Sequence, residues 1–243
     1  MENVHCAVCG HRGPLNFEEK GGVGSNFRCQ NCRSMQRQRD IAQLIVDEFG
    51  RGVALSLNEL AIKNYLNNLD IYEVGMVGPF GPRLEKLARY IRSYFWDNVE
   101  LGAVKDDVRC EDLRKLTFPD DSFDLIISAE VLEHVFGLEH VLREIRRVLK
   151  PNGVHVFSIP NRYPFPVVTT VRAKLNEKDE IEHLDSPAYH VAGDGSKSLV
   201  VSEFGADLCE MHAAAGLRLS IVRRQAPFLP HQNHATFIAR RMN

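Results

Sequence analysis

Phe123-Asp124-Leu125-Ile126-Ile127-Ser128 is a short apolar run, followed by Leu138, Leu142, Ile145, Val148 and Leu149 at helical spacing. Pro151-Asn152-Gly153 ends that helix, and Val154 to Ile159 forms a second apolar run stopped by Pro160. Strand, amphipathic helix and strand in this order predict two parallel strands buried on both faces. Working outward toward the N-terminus, the pattern predicts a helix over 57–67 and a strand from Ile71 to Val74. A helix from Arg83 to Arg92, started by Gly81-Pro82, and short strands near Ile91 to Phe95 and Val108 to Cys110 follow. Toward the C-terminus a helix from about Ser202 to Ala215 precedes strands near Leu217 to Arg223 and Ala235 to Ala239. The alternation calls for an α/β fold, a parallel sheet covered by helices.

The chain has 243 residues, 44% hydrophobic and 26% charged, with 30 Lys and Arg against 32 Asp and Glu. This composition excludes a disordered chain, a collagen-like repeat and a disulfide-packed miniprotein. At roughly 150 residues per domain, the length suits one full-sized domain with an appendage. No apolar run reaches the roughly 18 residues of a membrane span, and the Met1-Glu2-Asn3-Val4 start lacks the features of a secretory signal. A soluble cytoplasmic protein is expected. The formal charge of −2 argues against a protein built chiefly to neutralise nucleic-acid phosphates, while leaving room for a local basic patch.

The appendage is explained by its cysteines. Cys6-x-x-Cys9 and Cys29-x-x-Cys32 are two knuckles about twenty residues apart, whose thiolates can converge on one Zn²⁺. Redox pairs or disulfides fit less well, because no thioredoxin-like strand pattern surrounds either pair. The intervening segment holds Gly10, Gly13, Gly21, Gly22 and Gly24 and few apolar residues, so the metal takes the place of a core and is structural. Four thiolates and one dication move the formal charge from −2 to −4. His5 and His11 flank the first knuckle and read as surface residues. The reading therefore divides the chain into a zinc module over 1–35, a linker helix over 36–54 and a main domain over 55–243. Ser34 is the expected cap of the linker helix, and its arginines, with Arg28 and Arg33, read as a solvated face, an RNA-phosphate contact being the alternative. Residues 161–202 interrupt the strand–helix rhythm and read as a lid or inserted subdomain.

In an open parallel sheet, ligands bind beyond the carboxyl ends of the strands where the winding reverses. The first such strand ends in Glu73-Val74-Gly75-Met76-Val77-Gly78-Pro79-Phe80-Gly81. A dinucleotide fingerprint starting at Gly75 needs glycines at positions held by Val77 and Phe80, which disfavours a nicotinamide oxidoreductase. Glu73, two residues before the first glycine, suits a ligand carrying a cation.

At this point the sequence resembles the class I S-adenosylmethionine-dependent methyltransferases over roughly residues 55–240. The resemblance rests on Glu73-Val74-Gly75 and the glycines after it, on Cys110-Glu111-Asp112-Leu113 and on Phe118 to Ser128. Glu130-Val131-Leu132-Glu133-His134-Val135 and Arg143 to Gly153 complete it. It implies a Rossmann-like, doubly wound sheet of seven mostly parallel strands, behind the zinc module. It also implies S-adenosylmethionine as cofactor, with Glu73 at the methionine end, directly or through water, and Gly75 and Gly78 allowing close backbone approach. Asp112 would accept from the adenine amino group, Leu113 would offer backbone and an apolar face to the ring, and Ser128 and Glu130 would border the methyl-donor region. The family's acidic ribose ligand has no clear counterpart; Tyr94 holds the position, with Asp97 nearby. Asp112 also reads as a turn former, and Glu133 as a solvated helix residue.

A sulfonium donor is already activated, so a general base is needed only for a poor nucleophile such as a hydroxyl. His134, His183 and His190 are candidates; His190, inside the insertion, and His134 are carried forward as catalytic. The acceptor is expected to be a small molecule, a sugar or related glycan precursor, held by the 161–202 insertion. An RNA acceptor gripped by the zinc module is the alternative, favoured by residues 211–243, which hold five Arg and no acid. A non-catalytic module with a decayed cofactor loop is a third reading, suggested by the wider glycine spacing and the missing ribose acid.

Overall fold

The structure, a computed structural model, describes all residues except 1–3, 18–26, 77, 161–163, 192–195, 227–228 and 243. Gly21, Gly22, Gly24 and Val77, named above, therefore lie outside the described residues. The N-terminal segment holds β1 (Val4–His5), β2 (Arg12–Gly13), β3 (Leu15–Phe17) and β4 (Phe27–Cys29), paired as two small antiparallel ribbons. Helices α1 (Gln36–Phe49) and α2 (Leu57–Ile62) lead to β5 (Ile71–Val74). Then come the single turn α3 (Gly81–Leu84), β6 (Tyr90–Tyr94), β7 (Val104–Lys105), β8 (Val108–Cys110) and β9 (Phe123–Ala129). A 3₁₀ turn (Leu132–His134) and α4 (Leu138–Val148) connect to β10 (Leu149–Ser158). After an inserted region, α5 (Leu208–Ala214) precedes β17 (Leu217–Ala226) and β18 (Leu229–Arg241).

The central sheet has eight strands in the order β17-β18-β10-β9-β5-β6-β8-β7. Strands β10, β9, β5, β6 and β8 are mutually parallel, while β18, β17 and β7 run antiparallel to their neighbours. The eighth strand, absent from the expectation of seven, is the two-residue β7. It folds back on β8 through Asp106 and Asp107, both at positive φ (52° and 60°), as a tight hairpin requires.

Both faces of the sheet are buried, as expected of a central parallel sheet. One face packs Tyr72, Ile126, Phe157 and Phe237 against Leu142 and Ile145 of α4 and Leu208 of α5. The other packs Ile71, Leu125, Ile127 and Val156 against Ile41 and Ile45 of α1 and Leu57 and Leu60 of α2. Cys6, Val8 and Cys29 belong to this second core, so the cysteine segment is docked on the sheet's helical cover. Its backbone is also joined to α2, because Leu57 and Asn58 donate to the carbonyls of Ala7 and Val8 at 2.7 and 3.1 Å. At the amino ends of the strands, Lys150 Nζ lies 2.5 Å from Asp70 and 2.7 Å from Asp124, pinning the starts of β5 and β9 together.

Several elements differ from the periodicity reading. The helix expected over 83–92 is helical only to Leu84, because Tyr90–Tyr94 pairs with β5 instead. Helix 57–67 stops at Ile62, and Asn64 turns into left-handed backbone at φ 64°. Leu149 leaves the helix to pair with Phe123, and Pro151-Asn152-Gly153 lies within β10, in the irregular stretch between Leu149 and Val154. Ser202 is strand, not helix: β16 (Ser202–Glu203) pairs with β11 (Thr170–Val171). The insertion carries two further ribbons, β12 (Ala173–Leu175) with β13 (Ile181–His183) and β14 (Tyr189–Val191) with β15 (Lys197–Leu199). Ser34 does not cap α1. The helix begins after Met35, whose N–H donates to Gln38 Oε1 at 2.9 Å, and Ser34 Oγ turns instead to the cysteine sulfurs. His5 and His11 are half-buried rather than exposed.

Ile45 is fully buried where α1 meets the sheet and the cysteine segment. Ile45→Ala is expected to lower stability by about 2–5 kcal/mol. Urea denaturation should show the sheet and the cysteine segment still unfolding in one transition, because they share this core; two separate transitions would contradict the shared packing.

Candidate functional site

β5 lies between β6 and β9, so the chain winds outward from β5 to β8 and then returns to β9 on the other side. The winding reverses at the carboxyl ends of β5 and β9, and there the strands part into a crevice. Glu73, Gly75, Tyr94, Asp112, Ser128 and Glu130 all come from the carboxyl ends of these strands or from the loops just after them.

Glu73 is 5% exposed, and its Oε2 accepts a 2.5 Å hydrogen bond from the Tyr90 hydroxyl. Burial pushes its pKa up to about 7, against the opposing pull of Tyr90 and the Arg92 guanidinium. Gly75 has φ 132°, open to glycine, and no atom lies within 4 Å of where a Cβ would stand. A Cβ on Gly78 would sit 3.3 Å from Glu73 Oε1, so the loop and the carboxylate face one another. These features fit a cofactor whose cationic end meets Glu73 while its backbone passes the glycines.

The remaining predicted residues divide. Tyr94 stands exposed at the end of β6, its ring edge-on to Trp96 at 5.0 Å, and Asp97 is exposed just beyond. Asp112 is held by Arg114 in a bidentate pair, with contacts of 2.6 to 3.1 Å, and also accepts the Arg114 backbone N–H at 2.8 Å. These bonds fill the lone-pair capacity of a carboxylate, so an adenine amino group would have to displace Arg114. The Leu113 side chain belongs to the core cluster that includes Tyr72 and Phe118. Ser128 is buried, with Oγ 2.8 Å from His155 Nε2. Burial lowers the His155 pKa to about 3, so this is a neutral core histidine with a hydroxyl partner.

Glu130 adopts left-handed backbone at φ 57°, and its Oε1 accepts from the Ser158 hydroxyl at 2.8 Å. Strained backbone of this kind costs about 1–3 kcal/mol and gathers at functional sites. Arg37, from the first turn of α1, reaches within 3.9 Å of Glu130. Glu133, which reads as a solvated helix residue, is instead 1% exposed and sits between two histidines. Its Oε1 is 3.6 Å from His134 Nε2 and 3.5 Å from His190 Nδ1. The neighbouring carboxylate holds the His190 imidazole above its ordinary pKa. The two imidazole rings meet edge to face at 5.0 Å. The two catalytic candidates, 56 positions apart in sequence, are thus brought together around Glu133, and His183 lies exposed on another ribbon.

A cavity of about 820 Å³ opens between α4 and the insertion, lined by Asp112, Arg114, Phe136, His140, Thr169 and Val201 among others. Of the predicted cofactor residues it includes Asp112 only, so it adjoins the crevice rather than filling it.

The four predicted metal ligands also converge. Cys6 Sγ is 3.7 Å from Cys32 Sγ, and Cys9 Sγ is 3.7 Å from Cys29 Sγ. A tetrahedral zinc with bonds of about 2.3 Å sets its sulfurs about 3.8 Å apart, whereas a disulfide needs about 2.05 Å. Arg39, 4% exposed, donates to the carbonyls of Phe27 and Ser34 at 2.8 and 2.5 Å, wedging α1 against the second knuckle. It is neither solvated nor free to bind RNA.

Residues 88–157 match the family described as "Methyltransferase domain". A "Probable S-adenosylmethionine-dependent methyltransferase" of Mycolicibacterium smegmatis is 29% identical over 159 residues, 60% of this chain and 60% of that protein. A sterol 24-C-methyltransferase of Gibberella zeae is 32% identical over 108 residues, 44% of this chain and 25% of that one. The chain thus spans at most 60% of the length of these curated relatives. Among solved structures, an S-adenosylmethionine-dependent methyltransferase from Mesorhizobium loti aligns with a TM-score of 0.47 at 16% identity, covering 76% of this chain and 98% of that one. Together the sequence matches place a methyltransferase domain in this chain, similar to those of S-adenosylmethionine-dependent methyltransferases.

The environment of Glu73 yields a stability signature. The native state keeps a proton that the unfolded chain releases, because the carboxyl pKa rises from 4.5 to about 7 on folding. Stability therefore falls as pH rises across that window, by roughly 3 kcal/mol in all. Glu73→Gln, which still accepts from Tyr90, removes this loss. Urea denaturation should find the variant gaining on wild type between pH 5 and pH 8; an equal difference at both pH values would contradict the burial of the charge.

Proposed function

We propose that the chain transfers the methyl group of S-adenosylmethionine to a small polar acceptor, a sugar or related glycan precursor. In this reading residues 1–35 form a structural zinc module, 36–54 a connecting helix and 55–243 the catalytic domain. The observation that carries it is the pairing of a buried Glu73 with the Gly75–Gly78 loop at the carboxyl end of the central strand. Glu73 would hold the methionine ammonium, Gly75 and Gly78 the adjacent backbone, and Tyr94 with Asp97 the ribose. The Leu113 backbone would meet the adenine, with Asp112 contributing once Arg114 moves. Ser128 helps shape the strand end through His155, and Glu130 borders the donor region.

When bound, the cofactor supplies an electrophilic methyl group on a neutral-leaving sulfur. The chain's task is then alignment, and positioning two reactants can lower a barrier by roughly 7–11 kcal/mol. The cavity beside the crevice, walled by Thr169 and Val201 of the insertion and by Arg114 and His140, is the acceptor pocket. The Glu133–His134–His190 cluster would help a hydroxyl acceptor lose its proton. RNA fits less well: Arg240 pairs with Glu48 at 2.7 Å and Arg241 with Asp121, so part of the basic C-terminal stretch is neutralised within the fold.

Calorimetric titration with S-adenosylmethionine should show saturable binding, weakened roughly tenfold to a hundredfold by Glu73→Ala, as for loss of a bond to a charged group. No binding by the wild type, or equal binding by the variant, would refute the cofactor reading. For the zinc module, cobalt(II) exchanged into the thiolate site should give a sulfur-to-metal charge-transfer band. Cys29→Ser should diminish that band and destabilise the fold; a band of undiminished intensity would refute the four-sulfur shell.

A further inference from the structure

We infer that Glu133, His134 and His190 form a second metal centre, a site for a zinc-type divalent cation with two imidazole nitrogens and one carboxylate oxygen as ligands. Their three ligand atoms lie within 4.8 Å of one another. The Glu133 Oε1 separations, 3.6 Å to His134 Nε2 and 3.5 Å to His190 Nδ1, are too long for good hydrogen bonds. They are close to the ligand-to-ligand spacing of about 3.4 Å expected around a tetrahedral cation with bonds of 2.0–2.2 Å.

The orientation of the rings points the same way. His134 Nδ1 lies 2.7 Å from the Leu199 carbonyl, an acceptor that can only be matched by Nδ1–H. With Nδ1 turned to that carbonyl, Nε2 is the ring nitrogen that faces Glu133, placed to ligate a cation beside the carboxylate. A backbone carbonyl behind the ring is also how a ligating histidine is ordinarily oriented. Glu133 itself is 1% exposed, and neither of its oxygens has a hydrogen-bond donor. A buried carboxylate whose neighbours stand beyond good hydrogen-bonding distance is costly, and a coordinated cation lowers that cost.

The fold builds the site from two separate pieces. The 3₁₀ turn after β9 presents Glu133 and His134, and the hairpin β14–β15 of the insertion presents His190, opposite Ser198. The insertion is strapped to the turn by Leu199 through His134, and by Val201, whose N–H donates to the Glu133 carbonyl at 2.7 Å. Three protein ligands leave a fourth position open, the arrangement of catalytic rather than structural zinc.

The site rests on this geometry alone; its task rests on the methyltransferase reading. An acceptor hydroxyl at the open position would be acidified by the cation, as metal-bound water is, and its proton would leave to solvent. The acceptor oxygen then displaces the sulfonium: an O–C bond forms, the C–S bond breaks, and its electron pair stays on sulfur. His134 and His190 serve here as ligands, not as the general base.

The test is cobalt(II) titration of the chain with zinc already in its cysteine site. We expect one saturable equivalent with ligand-field absorption and no sulfur charge-transfer band. Glu133→Gln and His190→Asn should each weaken it by more than the roughly 10- to 100-fold that loss of an outer partner costs. His190 is on an exposed hairpin, so its variant keeps the fold, and calorimetry with S-adenosylmethionine checks this independently. Absence of the band in the wild type, or its full retention in both variants, overturns the metal centre whether or not the cofactor binds. Failure of cofactor binding with the band intact overturns only its assigned task.

Discussion

The parallel pairing of Ile71–Val74 with Leu125–Ser128 imposes the geometry from which the site follows. β5 connects to β6 on one side and β9 to β10 on the other, and their connections pack on opposite faces of the sheet, Leu84 on one and Leu142 on the other. The chain therefore leaves the carboxyl ends of these two strands toward opposite faces. The Gly75–Gly78 loop and the turn from Glu130 to His134 are the two banks of the resulting gap. The opposite ends are closed by Lys150 between Asp70 and Asp124. A side-chain ion cluster pins the amino ends, while the carboxyl ends stay open to a ligand.

The amphipathic period of Leu138 to Val148 and the apolar runs of β5, β9 and β10 made the central architecture readable from sequence, because each is set by burial on both sheet faces. Elements governed by partners elsewhere were not. Tyr90 to Arg92 continues a helical pattern locally, yet pairs with β5, and nothing in its own neighbours announces that. The ribbons of the insertion follow from long-range backbone pairing and carry too few apolar residues to show a period. The same division runs through the site. The cysteine knuckles and the glycine loop are local spacing signals and were legible. Glu133 was not, because its burial depends on an insertion strand about seventy residues away, and Tyr90 and Arg37 offer no motif at all.

Carboxylates that are wholly or partly buried sort the molecule into structure and chemistry. Asp70, Asp124, Glu111 and Glu144 each lie within 2.9 Å of a cation that neutralises them. Glu73 has a phenol at 2.5 Å and a raised pKa, and Glu133 has two histidines at distances beyond good hydrogen bonding. A fold selected for stability alone would fill such positions with apolar or paired groups. Both of these less well neutralised carboxylates lie toward the carboxyl ends of the strands, one beside the glycine loop and one beside the insertion.

The cysteine segment belongs to the same construction. Its two knuckles, α1 and one sheet face share a single core, and Arg39 clamps the helix start to the second knuckle. Arg37, on the same turn, lies near the strained Glu130 at the end of β9. A helix set only by its apolar face could rotate or slide by a residue without exposing much surface. Anchored at its first turn by Arg39, it cannot, and Arg37 is held against the crevice. The cysteine segment thus does more than extend the core: through Arg39 it helps fix the register of the helix that lies beside Glu130.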